Sequence, residues 1–322
     1  MTLFDQESAD EPPPPEDPAA TGDGCDVEPD PVEPDTAGAA PHAPARRALV
    51  WRTGPETGTE ARVRLDVAYD GGGFRGFAVN PGVRTVAGEL GVALRKVLGH
   101  DVVLTCAGRT DAGVHAWGQV VHFDTGSAPD VVALQRSLNK MLGPSVVVRE
   151  ARVVGRQFDA RRSAVGRRYR YSVLNRRLPD PFLSATAWHV EDPLDLGAMT
   201  LACDPLIGEH DWSSFCKRPP GPHPEHGPRS LVRVVRVARW TDLGSGLLRF
   251  DIEASAFCHQ MVRSLVGTLV AVGRGRMRAG DVGALIRARD RSLAAEPAPP
   301  HGLCLWEVLY PEAVESGATP AL

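Results

Sequence analysis

Lysine is almost absent from this chain: of 36 basic residues, only Lys96, Lys140 and Lys217 are lysines, and the rest are arginine. Long apolar runs are missing too. The longest candidate, Leu265 to Val272, is interrupted by Gly267 and Thr268. It falls well short of the roughly 18 consecutive apolar residues of a membrane helix, so no membrane association is expected. The N-terminus is acidic and proline-rich, with no basic start and no apolar core, so a cytoplasmic protein without a secretory signal is expected. Six cysteines (Cys25, Cys106, Cys203, Cys216, Cys258, Cys304) show no C-x-x-C spacing and are expected to be reduced thiols, mostly small buried hydrophobes. Cys216, His223 and His226 share a Pro/Gly-rich loop, but their spacing fits no zinc pattern and a fourth ligand is missing, so no metal is expected. Neither a phosphate-binding G-x-x-x-x-G-K-S/T nor a G-x-G-x-x-G in strand–helix context is present, so no nucleotide cofactor is expected.

The formal net charge of −4 conceals a division. Residues 1–45 contain twelve acids, ten prolines and no lysine or arginine, which leaves 36 basic against 28 acidic residues for the body. Arginine forks match phosphate geometry, and a net positive body fits a polyanionic partner. A GC-rich genome also enriches arginine, so the split between tail and body carries more weight than the arginine bias itself. Residues 1–60 bury too little apolar surface to fold alone and are expected to be a disordered tail, with a flexible C-terminus over 312–322.

Between them, hydrophobic periodicity marks alternating strands and helices. Arg62 to Tyr69 alternates polar and apolar, and a helix capped by Thr85 runs from Val86 to about Leu98. Val102 to Cys106 is expected to be a strand, and another begins at Val120; a helix from Pro129 to about Leu142 precedes a strand at Val146 to Val153. The second half continues with a strand at Arg167 to Leu174 and a short helix at Leu194 to Ala202. A hairpin of Leu231 to Trp240 and Leu247 to Ala256 follows, then helices at Met261 to Val272 and Ala279 to Ala288, and a closing strand at Leu303 to Leu309. The expected fold class is α+β: two pseudo-symmetric lobes, 61–165 and 166–311, share a central, mainly antiparallel sheet flanked by helices, with a cleft between them.

Three constellations could carry chemistry. Asp111 stands in Ala107-Gly108-Arg109-Thr110-Asp111-Ala112-Gly113-Val114-His115, on a loop before the strand Gln119 to Phe123. A carboxylate two residues from a fixed guanidinium stays ionised and can act as nucleophile or base, although an Arg-x-Asp pair also occurs as a structural turn. Arg161, Arg162, Arg167, Arg168 and Arg170 interleave with Tyr169 and Tyr171. Arginine-to-phosphate contacts beside aromatic stacking suit unpaired nucleotides, whereas a solvated basic edge strand is the plain alternative. On a strand, Tyr169 and Tyr171 share one face and Arg168 and Arg170 the other. In Ala256-Phe257-Cys258-His259-Gln260-Met261-Val262-Arg263, the cation Arg263 falls in a first helical turn, where the dipole disfavours it, and a nearby anion such as Asp111 or a phosphate would compensate.

In this order, these blocks resemble the tRNA pseudouridine synthase A (TruA-type) family from about Val63 to Pro311. Ala68-Tyr69-Asp70-Gly71, Arg161 with Ser163-Ala164, and Asp290-Arg291 followed by Gly302-Leu303 add to the likeness. The resemblance implies isomerisation of uridine to pseudouridine at positions 38–40 of the tRNA anticodon stem-loop, by a homodimer that needs no metal or nucleotide. It implies that Asp111 is the catalytic nucleophile, attacking sugar or ring or acting as a base. Arg109 would take the displaced base's place, Tyr169 would stack on the uracil, Arg263 would pair with the nucleophile and Leu303 would wall the pocket. Arg161, Arg168 and Arg170 are further candidates for tRNA contact. A non-catalytic tRNA-binding or RNA-folding protein is the alternative. The chain departs from the family at Gly76-Phe77-Ala78, where Gly-Trp-Gln is usual, and at Ala87, where Gln is usual.

Overall fold

The computed structural model describes residues 60–217 and 230–312. Residues 1–59 of the acidic tail, His223 and His226 with most of their loop, and the residues after Glu312 lie outside the described residues. The described part comprises ten strands and five α-helices, an α+β fold built on one mixed, mainly antiparallel sheet. The strands are β1 (Ala61–Tyr69), β2 (Thr105–Cys106), β3 (His115–Thr125), β4 (Val146–Val154), β5 (Gly166–Asn175), β6 (Trp188–Val190), β7 (Gly208–Asp211), β8 (Val232–Asp242), β9 (Leu247–Ala254) and β10 (Leu303–Leu309). The helices are α1 (Val86–Leu98), α2 (Val131–Leu142), α3 (Leu196–Leu201), α4 (Met261–Gly273) and α5 (Asp281–Ala288). Strand order is β4-β1-β3-β10-β5-β9-β8-β7, with β2 added to β3 and β6 to β5. All pairs are antiparallel except β10 with β3 and β6 with β5. No helix among the described residues is long and apolar enough to cross a membrane.

The period of two explains the strands. On β1, Val63, Leu65, Val67 and Tyr69 are buried, while Arg62 and Arg64 on the other face pair with Asp124 and Asp66. The expected strand at Val102 to Cys106 shrinks to Thr105 and Cys106. These two residues pair antiparallel with His122 and Val121 of β3, on the edge that β10 leaves open beyond Ala116. Helix starts follow the capping residues. The Thr85 hydroxyl accepts from Gly88 N and the Asp130 carboxylate from Val132 N and Ala133 N, satisfying amides that lack an intrahelical partner. Helix α4 has no side-chain cap; Gln260 before it takes a left-handed φ of 64°. The Arg291 guanidinium donates to Gln260 Oε1 at 2.9 Å and holds it there.

One expectation about the cysteines fails. Cys216 and Cys258 are joined in a disulfide, with Cα atoms 5.7 Å apart. Cys106, Cys203 and Cys304 are free. Residues far apart in sequence gave no spacing signal; the fold brings the end of the segment after β7 beside the turn between β9 and α4.

Two glycines separate packing from propensity. A Cβ on Gly71 would overlap the backbone of Val114, whereas one on Gly91, inside α1, would meet nothing within 4 Å. Gly71→Ala is expected to lower stability by roughly 1–3 kcal/mol or more. Gly91→Ala is expected to raise it by about 0.5–1 kcal/mol. Denaturant midpoints of the two variants check both signs.

Candidate active site

Asp111 lies on the loop between β2 and β3, and that loop is pinned along its length. Ala107 N donates to Val120 O at 2.8 Å. The Arg167 guanidinium donates to Ala107 O at 2.8 Å. The amide of buried Gln119 donates to Gly108 O at 2.6 Å. Thr110 Oγ1 shares a 2.7 Å hydrogen bond with the Tyr69 hydroxyl, and Phe77 N donates to Thr110 O at 3.1 Å. Gly76, at φ +96°, lets the turn after β1 come against Thr110 and Asp111. The Asp111 side chain stays 33% exposed, so the carboxylate is wet while its backbone is fixed.

Three segments converge on it. His259, in the turn between β9 and α4, brings Nε2 to 3.4 Å from Asp111 Oδ1. The ring of Phe257 stands edge-on to Tyr169 of β5, centroids 5.0 Å apart. Burial pushes the Tyr169 phenol well above its ordinary pKa; Arg167 opposes the shift and the charge of Asp111 adds to it. Burial likewise raises the Cys106 thiol, opposed by Arg109 and then Arg161. Among the described residues neither Arg109 nor Arg161 has a carboxylate within salt-bridge distance, and both are exposed.

The other expected residues divide. Tyr169 and Tyr171 do share a face; Tyr169 is 8% exposed, and fully buried Tyr171 donates its hydroxyl to Pro299 O at 2.8 Å. Leu303 is buried on β10 opposite Tyr171, and Leu305 opposite Tyr169. Arg168 and Arg170 occupy the opposite face, held by acids: Arg168 by Glu253 at 2.8 Å and Glu307 at 2.7 Å, Arg170 by Asp251 at 3.0 Å. Arg263 turns to the chain, its Nε donating to Ala298 O at 2.7 Å. Among the described residues no ion pair joins Asp111 to Arg263 or Arg109, and the basic side chain within 4 Å of it is the imidazole of His259. Residues 107–114 form a loop, so two residues of spacing do not by themselves put Arg109 and Asp111 on one face.

Sequence reasoning passed over His259, Phe257 and Arg167. The first two stand in the block around Arg263, one residue to each side of Cys258, and a histidine at a strand–helix junction was the available signal. Arg167 was counted only as one of a basic run. Its guanidinium bonds three carbonyls, those of Ala107, Arg161 and Ser255, and so ties the Asp111 loop to both neighbouring segments. No group of three or more His, Cys, Asp or Glu among the described residues could hold a metal ion.

Comparison with known proteins identifies the family. A family profile described as tRNA pseudouridine synthase matches residues 202–311. The chain is 38% identical over 251 residues to tRNA pseudouridine synthase A of Bacillus licheniformis, covering 77% of this chain and 99% of that relative. It is 40% identical over 285 residues to the Leifsonia xyli protein of the same name, covering 81% and 96%. With the Myxococcus xanthus protein of that name the identity is 39% over 264 residues, covering 81% and 97%. Relatives this similar, spanned almost end to end by the folded body that carries Asp111, show that the chain belongs to the tRNA pseudouridine synthase A family.

Proposed function

We propose that this chain isomerises uridine to pseudouridine at positions 38–40 of the tRNA anticodon stem-loop, with Asp111 as the group that opens the glycosidic bond. The observation that carries the reading is a partly exposed carboxylate on an immobilised loop, 3.4 Å from His259 and close enough to Tyr169 for its charge to act on the phenol. On this reading Asp111 comes from a lobe of 61–165, and Tyr169, Arg263 and Leu303 from a lobe of 166–311. Uracil must leave C1′, turn, and rejoin through C5. A carboxylate can assist by attack on the sugar or the ring, or as a base at C2′. Tyr169, kept neutral by burial, offers an uncharged ring on which the loosened base is retained, and Leu303 an apolar wall.

A uridine within a stem must be flipped out first, at a cost of a few kcal/mol. Arginine–phosphate contacts offset that cost. Arg109 and Arg161 are free to make them, and Arg109 also suits the space the base vacates. Arg168 and Arg170 reach a phosphate only by releasing Glu253, Glu307 and Asp251. We read the working form as a cytoplasmic homodimer in which both subunits grip one tRNA.

Purified protein incubated with an unmodified tRNA transcript, without metal or nucleotide, is expected to leave carbodiimide-dependent stops at positions 38–40. Asp111→Asn should keep the melting temperature and tRNA affinity and lose turnover by on the order of 10³-fold or more. Turnover retained in that variant would mean that catalysis lies elsewhere, and binding without product in the native protein would favour the non-catalytic alternative. Arg161→Ala should reduce the slope of log affinity against log salt by about 1. Arg168→Ala and Arg170→Ala should change it less, as filter binding at several salt concentrations would reveal.

A further inference from the structure

We propose that Cys216 and Cys258 form a reversible thiol–disulfide site that fastens the Phe257–His259 segment over the pocket, so that oxidation slows turnover. Three consecutive residues make three different attachments: Phe257 meets the Tyr169 ring, Cys258 is bonded to Cys216, and His259 faces Asp111. The anchor at the other end is rigid. Cys216 is 1% exposed and follows Trp212 and Phe215, both fully buried. Ser214 Oγ donates to Leu285 O at 2.6 Å, and Phe215 N to Trp212 O at 2.9 Å. A Cα separation of 5.7 Å is one that a disulfide takes without backbone movement.

Beside the disulfide, Lys217 N donates to His259 O at 2.9 Å. The disulfide makes the tie between the two segments covalent. Tyr169 exposes little of its ring beside Phe257, so a uracil that lies on the phenol requires Phe257 to give way, and a segment bonded to the core resists. This consequence rests on the uridine-isomerising reading above; the bond itself does not.

The chemistry needs a disulfide oxidant, for which glutathione disulfide serves. Partly exposed Cys258 attacks one of its sulfurs as the thiolate and releases one glutathione thiol. Buried Cys216 then attacks the mixed disulfide and releases the second. The two cysteine protons end on the two glutathione thiols, and the two electrons lost by the cysteines reduce the oxidant. Where cellular thiols are kept reduced, such a bond is transient and responsive rather than a permanent staple.

The full chain, either reduced with dithiothreitol or equilibrated with glutathione disulfide, tests the proposal. We expect a Cys216–Cys258 cross-linked peptide in the oxidised sample, slower amide exchange over residues 257–263, and turnover lower by at least about threefold with unchanged tRNA affinity. Cys216→Ala and Cys258→Ser, two variants in case one fails to fold, should keep reduced-state turnover and ignore the oxidant. No cross-linked peptide, or a cross-link with exchange and turnover unaltered, overturns the proposal. Absent turnover in both states counts against uridine isomerisation, not against the fastening, which the exchange measurement decides alone.

Discussion

Gln119 has no exposed surface, and its amide keeps the loop before β3 in one shape. Its Nε2 donates to Gly108 O at 2.6 Å and lies 3.4 Å from the Tyr69 hydroxyl, while its Oε1 accepts from Val120 N at 3.2 Å. A buried amide satisfied at both ends is rigid, because any other loop shape strands it without partners in a low dielectric. The Tyr69–Thr110 hydrogen bond extends the same network to the residue next to Asp111. The acid therefore stays partly exposed while its backbone loses freedom, the combination that places a reacting group.

Much of this was legible before any coordinates. Alternation in β1 and β5 assigned Val63, Leu65, Tyr169 and Tyr171 to the buried face, because successive side chains of a strand point to opposite faces. Thr85 marked a helix start by its side-chain chemistry, whereas the second helix, expected from Pro129, is capped by Asp130 and begins at Val131. What failed to show was pairing across sequence distance. Nothing in Val102 to Leu104 says that only Thr105 and Cys106 pair with β3; nothing in six scattered cysteines says that residues 216 and 258 meet. Arg263 was read as a cation seeking an anion, yet a carbonyl, Ala298 O, takes its Nε. Side-chain donors accept backbone partners as readily as charged ones, and only the fold decides which is nearer.

Arginine shows the same limit. Composition put the body in surplus, but the arginines fall into distinct populations. Those on the even positions of β5 sit among Glu253, Glu307 and Asp251, and Arg170 also lies 3.6 Å over the Trp306 ring. Arg167 is spent on backbone carbonyls, with burial lowering its pKa. Arg109 and Arg161 keep their forks in solvent beside the Asp111 loop. A polyanion sees the last kind first, since a paired guanidinium must break its ion pair before it can meet a phosphate. Net charge thus describes attraction at a distance, while unpaired charge describes the contact.

The order of the sheet explains why so many segments meet here. Strand β10, from the end of the folded body, inserts between β3 and β5 and pairs parallel with β3 at only two positions, Cys304 with His115 and Leu305 with Ala116. It then runs antiparallel along β5, setting Leu305 against Tyr169 and Leu303 against Tyr171. The strand that leads out of the Asp111 loop and the strand that carries Tyr169 are therefore held together by a third strand made last in the chain. Such non-local closure is slow to form, since loop entropy is spent before its contacts are gained. With the Arg167 hydrogen bond to Ala107 O, it holds the strand of the phenol to the loop of the carboxylate.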